Sequence, residues 1–217
     1  MLSPKSHRTV LLVNAAIMGV LTVVALWLGR WPIAFVALAT LGLSLVPVIV
    51  AERFKVTLPL PFLVATSLFI FASIFLGEAL DFYERVWWWD LALHGSSAIA
   101  FGLIGFLFVF MLFDGDRFAA PPLALGLIAF CVAVTVGAIW EIFEFVMDLS
   151  LGLTMQKSGV NDVMTDIIIN AVGAAVAGLS GYLYLIGSRA GILRPFIDEF
   201  IRLNRDFYRK SLDRFRR

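Results

Sequence analysis

Acidic side chains with helical spacing gather in three short segments of this chain, and they are its most informative feature. Residues three, four, seven or eight positions apart share one face of an α-helix. By that rule, each segment presents its polar side chains as a single stripe. The three stripes are Asp90 and His94; Glu141, Glu144 and Asp148; and Asp162, Asp166 and Asn170.

Each stripe lies at the end of a long apolar stretch, so its deeper members extend into the hydrocarbon region of a bilayer. At about 1.5 Å per residue, Glu141 lies roughly 10 Å deeper than Asp148, and Asn170 roughly 12 Å deeper than Asp162. A lipid-facing carboxylate there costs roughly 3 kcal/mol, so we expect the stripes to face one another or a water-filled cavity. Converging carboxylates repel at low dielectric unless they are protonated, paired with a cation or bound to a metal. His94 and Arg85 are the only candidate cations nearby, too few to balance these carboxylates, so the sequence favours a divalent metal.

The residue types suggest a role for each member of the stripes. An oxygen-rich ligand set with one imidazole suits Mg²⁺, Mn²⁺ or Ca²⁺ better than Zn²⁺ or iron. Glu144 is the predicted general base, and His94 is predicted to act as a ligand or as an acid-base partner. Asn170 and Trp140 are predicted to contact a substrate. The predicted metal ligands are Glu141, Asp162, Asp166, Asp90 and Asp148.

A purely structural interpretation of the same residues stays open. In that interpretation Asp90 and His94 form a hydrogen bond at a helix start. Glu141, Glu144 and Asp166 then form a neutralised polar network that joins three helices.

The rest of the chain has the composition of a polytopic membrane protein. It is 61% hydrophobic and 15% charged, with a mean hydropathy of +0.94. A spanning helix needs about 20 predominantly apolar residues. The pattern therefore predicts an all-α membrane bundle of six transmembrane helices, with Gly137, Gly173 and Gly178 permitting close helix approach. The six apolar stretches are residues 9–28, 31–50, 58–76, 88–113, 121–147 and 163–186.

Basic residues predict the orientation of this bundle, since cytoplasmic loops collect lysine and arginine. All but three of the 17 lysine and arginine residues fall on the side that also carries both termini. We therefore expect residues 1–188 to form the membrane domain, with both termini in the cytoplasm. Residues 189–217 are predicted to form a basic, amphipathic cytoplasmic helix that lies on the anionic inner leaflet; a solvated or oligomer-packing helix is the alternative. The three stripes then face the extracytoplasmic side.

The segment from about residue 87 to 181 resembles the YjdF-like family of bacterial inner-membrane proteins. That family is characterised by a D-x-x-x-H helix, a W-E-x-x-E helix and a D-x-x-x-D-x-x-x-N-x-x-G helix. The resemblance implies a bacterial inner-membrane location, the fold and the site, but no particular reaction. The start of the last span is more loosely similar to VanZ-like proteins, from which this chain departs by having Glu144 in place of glutamine. The matching positions are Asp90 and His94; Trp140, Glu141 and Glu144; and Asp162, Asp166, Asn170 and Gly173.

Three classes of function fit these observations. The first is a membrane enzyme or lipid-binding protein whose outward pocket binds a divalent metal and a lipid-linked or phosphate-bearing substrate. The second is an ion or proton-coupled transporter, for which the apolar inner halves of residues 88–113 and 121–147 offer no continuous polar path. The third is a structural membrane subunit. Membrane lipids are the expected partners, and the chain has no motif for binding nucleic acid.

Overall fold

The computed structural model describes residues 4–113, 120–152, 155–157 and 159–205, and these residues form helices and connecting turns without a strand. The third helix continues directly into a π-helical stretch, Phe71–Ala79. The α-helices are α1 Pro4–Trp27, α2 Trp31–Phe54, α3 Leu60–Ile70, α4 Phe82–Arg85, α5 Trp89–Leu112, α6 Pro122–Leu151, α7 Val160–Leu185 and α8 Arg194–Leu203.

Five helical segments in the described part of the chain are long and apolar enough to cross a membrane. In α1, the segment Ala15–Trp27 is apolar but shorter. With α1, the long helices match the six predicted stretches in order, and the all-α polytopic membrane fold is confirmed. The five segments are Ile33–Phe54, Leu60–Ala79, Trp89–Leu112, Pro122–Ser150 and Val160–Leu185.

The helix ends follow from local sequence. Pro121 and Pro122 open α6, where proline is tolerated because the first backbone N–H groups of a helix have no intrahelical acceptor. The same helix ends at Gly152, whose φ of 66° lies in the left-handed region that glycine adopts without strain. Helix α7 begins at Val160.

The chain forms two compact units. One comprises the residues up to Trp89 together with Glu199–Asn204, and the other comprises Asp90–Asp198. The first unit contains α1 to α4 and the end of α8. The second contains α5, α6 and α7, together with all three polar stripes.

A side-chain clasp joins the end of α8 to the turn between α2 and α3 within the first unit. The backbone N–H of Thr57 donates to Asn204 Oδ1 at 2.8 Å, and Asn204 Nδ2 donates to the Thr57 carbonyl at 2.9 Å. Asn204 is buried, so these bonds satisfy an amide that would otherwise be costly to desolvate. The α2–α3 turn and the end of α8 therefore lie at the same end of this unit.

Small residues let the helices of the second unit approach closely. A Cβ atom on Gly173 would lie 2.5 Å from the Gly95 carbonyl oxygen of α5, and one on Gly178 would lie 2.6 Å from the Gly126 carbonyl oxygen of α6. No side chain fits in either place. As the glycine pattern predicts, α7 packs backbone to backbone against both neighbours.

Helix α8 has an apolar face that is already covered by protein. Ile197 is fully buried and Phe200 nearly so. The predicted placement of the tail on the inner leaflet, and the predicted boundary after residue 188, stay predictions. Three apolar residues of the predicted tail helix lie outside the described residues: Tyr208, Leu212 and Phe215.

Candidate functional site

The polar stripe of α5 sits in its first two turns. Asp90 is the second residue of the helix, where a carboxylate interacts favourably with the positive end of the helix dipole. His94 follows one turn later and is buried, and its Nε2 lies 3.5 Å from Asp90 Oδ1. Asp90 is only half-buried, so it forms the more accessible member of the pair.

The stripe of α6 divides by depth. Glu141 is buried, with 4% of its surface exposed. Glu144 is half-buried, and its Oε1 accepts a 2.9 Å hydrogen bond from Trp140 Nε1. Trp140 itself is 45% exposed, and its ring lies beside that of Phe143.

Asp148 holds the turn that connects α6 and α7. Its two carboxylate oxygens accept hydrogen bonds from the backbone N–H groups of Met155 at 2.8 Å and Gln156 at 2.9 Å. The Gln156 side chain in turn donates to the Glu141 carbonyl at 3.2 Å. The connection between α6 and α7 is therefore hydrogen-bonded to the C-terminal part of α6, at Asp148 and at Glu141.

The stripe of α7 also divides into a turn-binding residue and deeper residues. Asp162, in the first turn, accepts a 3.0 Å hydrogen bond from the Lys157 backbone N–H. Asp166 and Asn170 follow at intervals of one turn and are 2% and 3% exposed. Their burial places them on the face of α7 that packs against the other helices of this unit.

Members of all three stripes converge. One ligand atom each from Asp90, His94 and Asp166 lies within 4.8 Å of the others. On the other side of the imidazole, His94 Nδ1 lies 3.3 Å from Asn170 Nδ2 and 3.6 Å from Glu141 Oε1. Three helices thus contribute to one buried cluster, which we call the carboxylate–histidine cluster: Asp90, His94, Glu141, Asp166 and Asn170.

Within the described residues, three buried oxygen atoms of this cluster have no hydrogen-bond partner. They are both carboxylate oxygens of Glu141 and Oδ1 of Asn170. Buried oxygens without partners cost about 1–3 kcal/mol each, and a charged oxygen costs more. The cluster therefore has more acceptors than its own donors can satisfy.

The predicted site residues fall into two groups. The structure brings Asp90, His94, Glu141, Asp166 and Asn170 together. Asp148 and Asp162 bind backbone N–H groups of the connecting turn, and Glu144 bonds with Trp140. The assignments of these three carboxylates as ligands or base, and of Trp140 as a substrate contact, stay predictions.

Sequence reasoning missed the part played by the turn. Gln156 and the backbone N–H groups of residues 155–157 were assigned no role, although they bind Asp148, Glu141 and Asp162. Asp162 follows Gly159 at the start of a helix, a position where an acidic side chain commonly binds backbone N–H groups. That signal could have identified its contact with the turn.

The fold and the cluster together define a polytopic α-helical membrane protein with a buried Asp/His group between three of its helices. The chain belongs to the family described as predicted membrane protein (DUF2238), which matches residues 9–187. The YjdF-like resemblance is compatible with this family. An uncharacterized protein of Thermotoga maritima is 33% identical over 112 residues, which cover 50% of this chain and 57% of that protein. The chain thus spans little more than half the length of this relative. No solved structure matches the chain.

Proposed function

We propose that this protein binds a divalent cation through Asp90, His94 and Asp166 and uses it to bind a phosphate-bearing or lipid-linked substrate. The observation that carries the proposal is the convergence of these three side chains, with ligand atoms within 4.8 Å of one another. Asp166 and His94 are buried, so protein atoms rather than water surround most of the group. Two carboxylates and one imidazole are an ordinary donor set for a divalent metal.

Charge favours a cation over a purely structural network. Asp90, Glu141 and Asp166 bring three carboxyl groups to one imidazole. A polar network that only joins helices stabilises them when its members are satisfied, yet both oxygens of Glu141 lack a hydrogen-bond partner among the described residues. A divalent cation supplies the positive charge that this cluster is short of.

Mg²⁺, Mn²⁺ and Ca²⁺ suit this carboxylate-rich set, and the imidazole favours Mn²⁺ among them. Zn²⁺ and iron fit less well because only one nitrogen donor is present. When bound, the metal would act as a Lewis acid towards a phosphoryl or carbonyl oxygen.

The residues around the cluster suit the binding of an amphiphilic substrate. Glu144 lies one turn from Glu141 on α6, where its carboxylate could take a proton in an enzymatic version of the function. Its partner Trp140 is exposed at the surface of α6 and could contact the substrate. Asn170 lies deeper, against His94.

A transport function needs polar groups that continue through the helices. In the second unit, the described buried side chains with a polar group, other than His94, Glu141, Asp166 and Asn170, are Ser180 and Tyr184, which offer one hydroxyl each. Neither is charged, and the residues of α7 between Asn170 and Ser180 are all apolar. The arrangement favours a site that opens to one side.

The lipid-binding proposal predicts retention of an anionic phospholipid in the presence of metal. Purified protein with Mn²⁺ should retain phosphatidic acid at least about tenfold more strongly than phosphatidylcholine, a difference of about 1.4 kcal/mol. Both lipids carry a phosphate, but the terminal phosphomonoester of phosphatidic acid offers the cation more negative charge than the phosphodiester of phosphatidylcholine. Chelator should remove this preference for phosphatidic acid, and the Asp166→Asn variant should not show it. Equal retention of both lipids by metal-loaded protein would contradict the substrate assignment while leaving the metal site intact.

Release of inorganic phosphate that Glu144→Gln abolishes would identify the enzymatic version.

We also propose a bacterial inner-membrane location with both termini in the cytoplasm and the cluster facing outwards. The Asn204 clasp supports part of this topology, since it holds the end of α8 beside the turn that carries Lys55. Exposed Arg53 and Lys55 then share a side with exposed Arg202 of α8, as basic residues of cytoplasmic segments do.

This topology can be tested with single cysteines, because Cys131 is the chain's one cysteine. In a Cys131→Ser background, a membrane-impermeant maleimide should label Lys157→Cys in intact spheroplasts. It should label Lys55→Cys only after the membrane is opened. Both lysines are exposed at turns, so their accessibility is matched. Labelling in the opposite order would invert the proposed orientation.

A further inference from the structure

The position of Glu141 differs from that of the other carboxylates in the cluster. Asp90 lies at Nε2 of His94, at 3.5 Å, whereas Glu141 lies at Nδ1, at 3.6 Å. The two nitrogens are on different sides of the imidazole ring. The group formed by Asp90, His94 and Asp166 does not include Glu141.

A metal-binding histidine has to keep its other ring nitrogen protonated. A neutral imidazole carries one proton, so a cation at Nε2 leaves that proton on Nδ1. The Nδ1–H group then needs an acceptor, because it is buried with the rest of the ring. Metal-binding histidines commonly donate this second N–H to a carboxylate, which fixes the orientation of the ring.

Glu141 is the carboxylate placed to accept it. Both of its oxygens are buried and lack a hydrogen-bond partner in the described part of the chain. Oε1 lies 3.6 Å from Nδ1, so a closing movement of about 0.7 Å would complete a hydrogen bond. Asn170 Nδ2, at 3.3 Å, is a donor and bonds with Nδ1 only in the tautomer whose Nδ1 has no proton. Asn170 and Glu141 therefore favour opposite tautomers of His94.

We infer that Glu141 is a positioning residue: it accepts the Nδ1 proton of His94 and thereby presents Nε2 to a divalent cation held with Asp90 and Asp166. This inference rests on the proposed metal site and gives Glu141 a role different from the ligand role that the sequence predicts. Glu141 acts through His94 and does not touch the cation. Removing Glu141 should weaken the site, whereas removing Asp166 should destroy it.

The tautomer of His94 can be observed directly, because the chain has two histidines and a His7→Gln background leaves only His94. Protein labelled with ¹⁵N-histidine and loaded with ¹¹³Cd²⁺ should show a proton on Nδ1 and cadmium coupling at Nε2. In Glu141→Ala, the Nδ1 proton signal should shift or exchange with solvent more rapidly. Cadmium coupling at Nδ1 in the wild-type protein would overturn the inference.

Metal affinity supplies the second measurement. Glu141→Ala should still bind one cation but about 10–100-fold more weakly, and Glu141→Gln, which keeps an acceptor oxygen, should recover part of that loss. Exposed Glu52 provides the matched control, and Glu52→Ala should bind as the wild type does. Unchanged metal affinity in Glu141→Ala would contradict the positioning role of Glu141 but not the proposed metal site. A loss equal to that of Asp166→Ala would make Glu141 a direct ligand. Absence of binding in the wild type would contradict the proposed metal site itself.

Discussion

Asp166→Ala is expected to abolish stoichiometric binding of a divalent cation while the protein still folds. Asp166 is 2% exposed and supplies one of the three converging ligand atoms, so alanine leaves a pair that cannot hold the ion. A metal present at 100 times its dissociation constant stabilises a folded protein by about 2.7 kcal/mol. For a chain of this size that corresponds to a rise in melting temperature of roughly 5–10 °C. The wild-type protein should show this rise with Mn²⁺, and Asp166→Ala should show none.

The control for this experiment separates loss of the metal from loss of the fold. In chelator, Asp166→Ala should melt at or above the wild-type temperature, because removing one of several crowded carboxylates relieves repulsion. Asp166→Asn keeps the shape of the side chain and should behave in the same way. A variant that melts much earlier than the wild type in chelator would favour the structural network.

Gly173→Ala is expected to destabilise the bundle and weaken the metal site together. The added Cβ would lie 2.5 Å from the Gly95 carbonyl oxygen and 2.9 Å from Ala98 Cβ. The first of these is backbone, so α5 and α7 have to separate. Such overpacking costs about 1–3 kcal/mol, and separation would also move Asp90 and His94 away from Asp166. Thermal unfolding and a Mn²⁺ titration of the same samples measure both effects.

Gly42 provides the matched control for this substitution. It lies within α2, and a Cβ added there meets no atom within 4 Å. Gly42→Ala should therefore leave metal binding unchanged and raise stability slightly, since alanine favours a helix over glycine by about 1 kcal/mol. Equal melting temperatures and equal Mn²⁺ affinities of Gly173→Ala and Gly42→Ala would contradict the close α5–α7 packing.

Helical periodicity in the sequence predicts much of the cluster. Asp90 with His94, and Asp166 with Asn170, are each four residues apart, and the structure places both pairs on inward faces. Glu141 follows the same logic on α6. A carboxylate that faces lipid costs free energy, so these faces are expected to turn towards one another. Composition and spacing therefore predict that the three helices share one site.

Periodicity fails where the helices end. Asp148 is seven residues from Glu141 and shares its face, yet it binds the backbone of Met155 and Gln156. Asp162 likewise binds the Lys157 N–H. Turn geometry decides these contacts, and spacing within a helix carries no information about it. The same limit applies to Phe71–Ala79, where an apolar run predicts a span but not its π-helical backbone.

Sequence also could not resolve which ring nitrogen of His94 meets which carboxylate. That distinction depends on the rotation of α6 and α7 about their axes, which the close contact of Gly137 with Asn170 helps to fix. A Cβ on Gly137 would lie 2.7 Å from Asn170 Nδ2. The placement of Asp90 near Nε2 and of Glu141 near Nδ1 is a result of this packing.

Elemental analysis of the purified protein is the most direct test of the central claim that Asp90, His94 and Asp166 hold a divalent cation. Wild-type protein and Asp166→Ala would be purified side by side, loaded with Mn²⁺, dialysed and measured for metal per chain. We expect about one ion per wild-type chain, which chelator removes, and none in Asp166→Ala. Equal metal content in the two proteins, or none in either, would contradict the account.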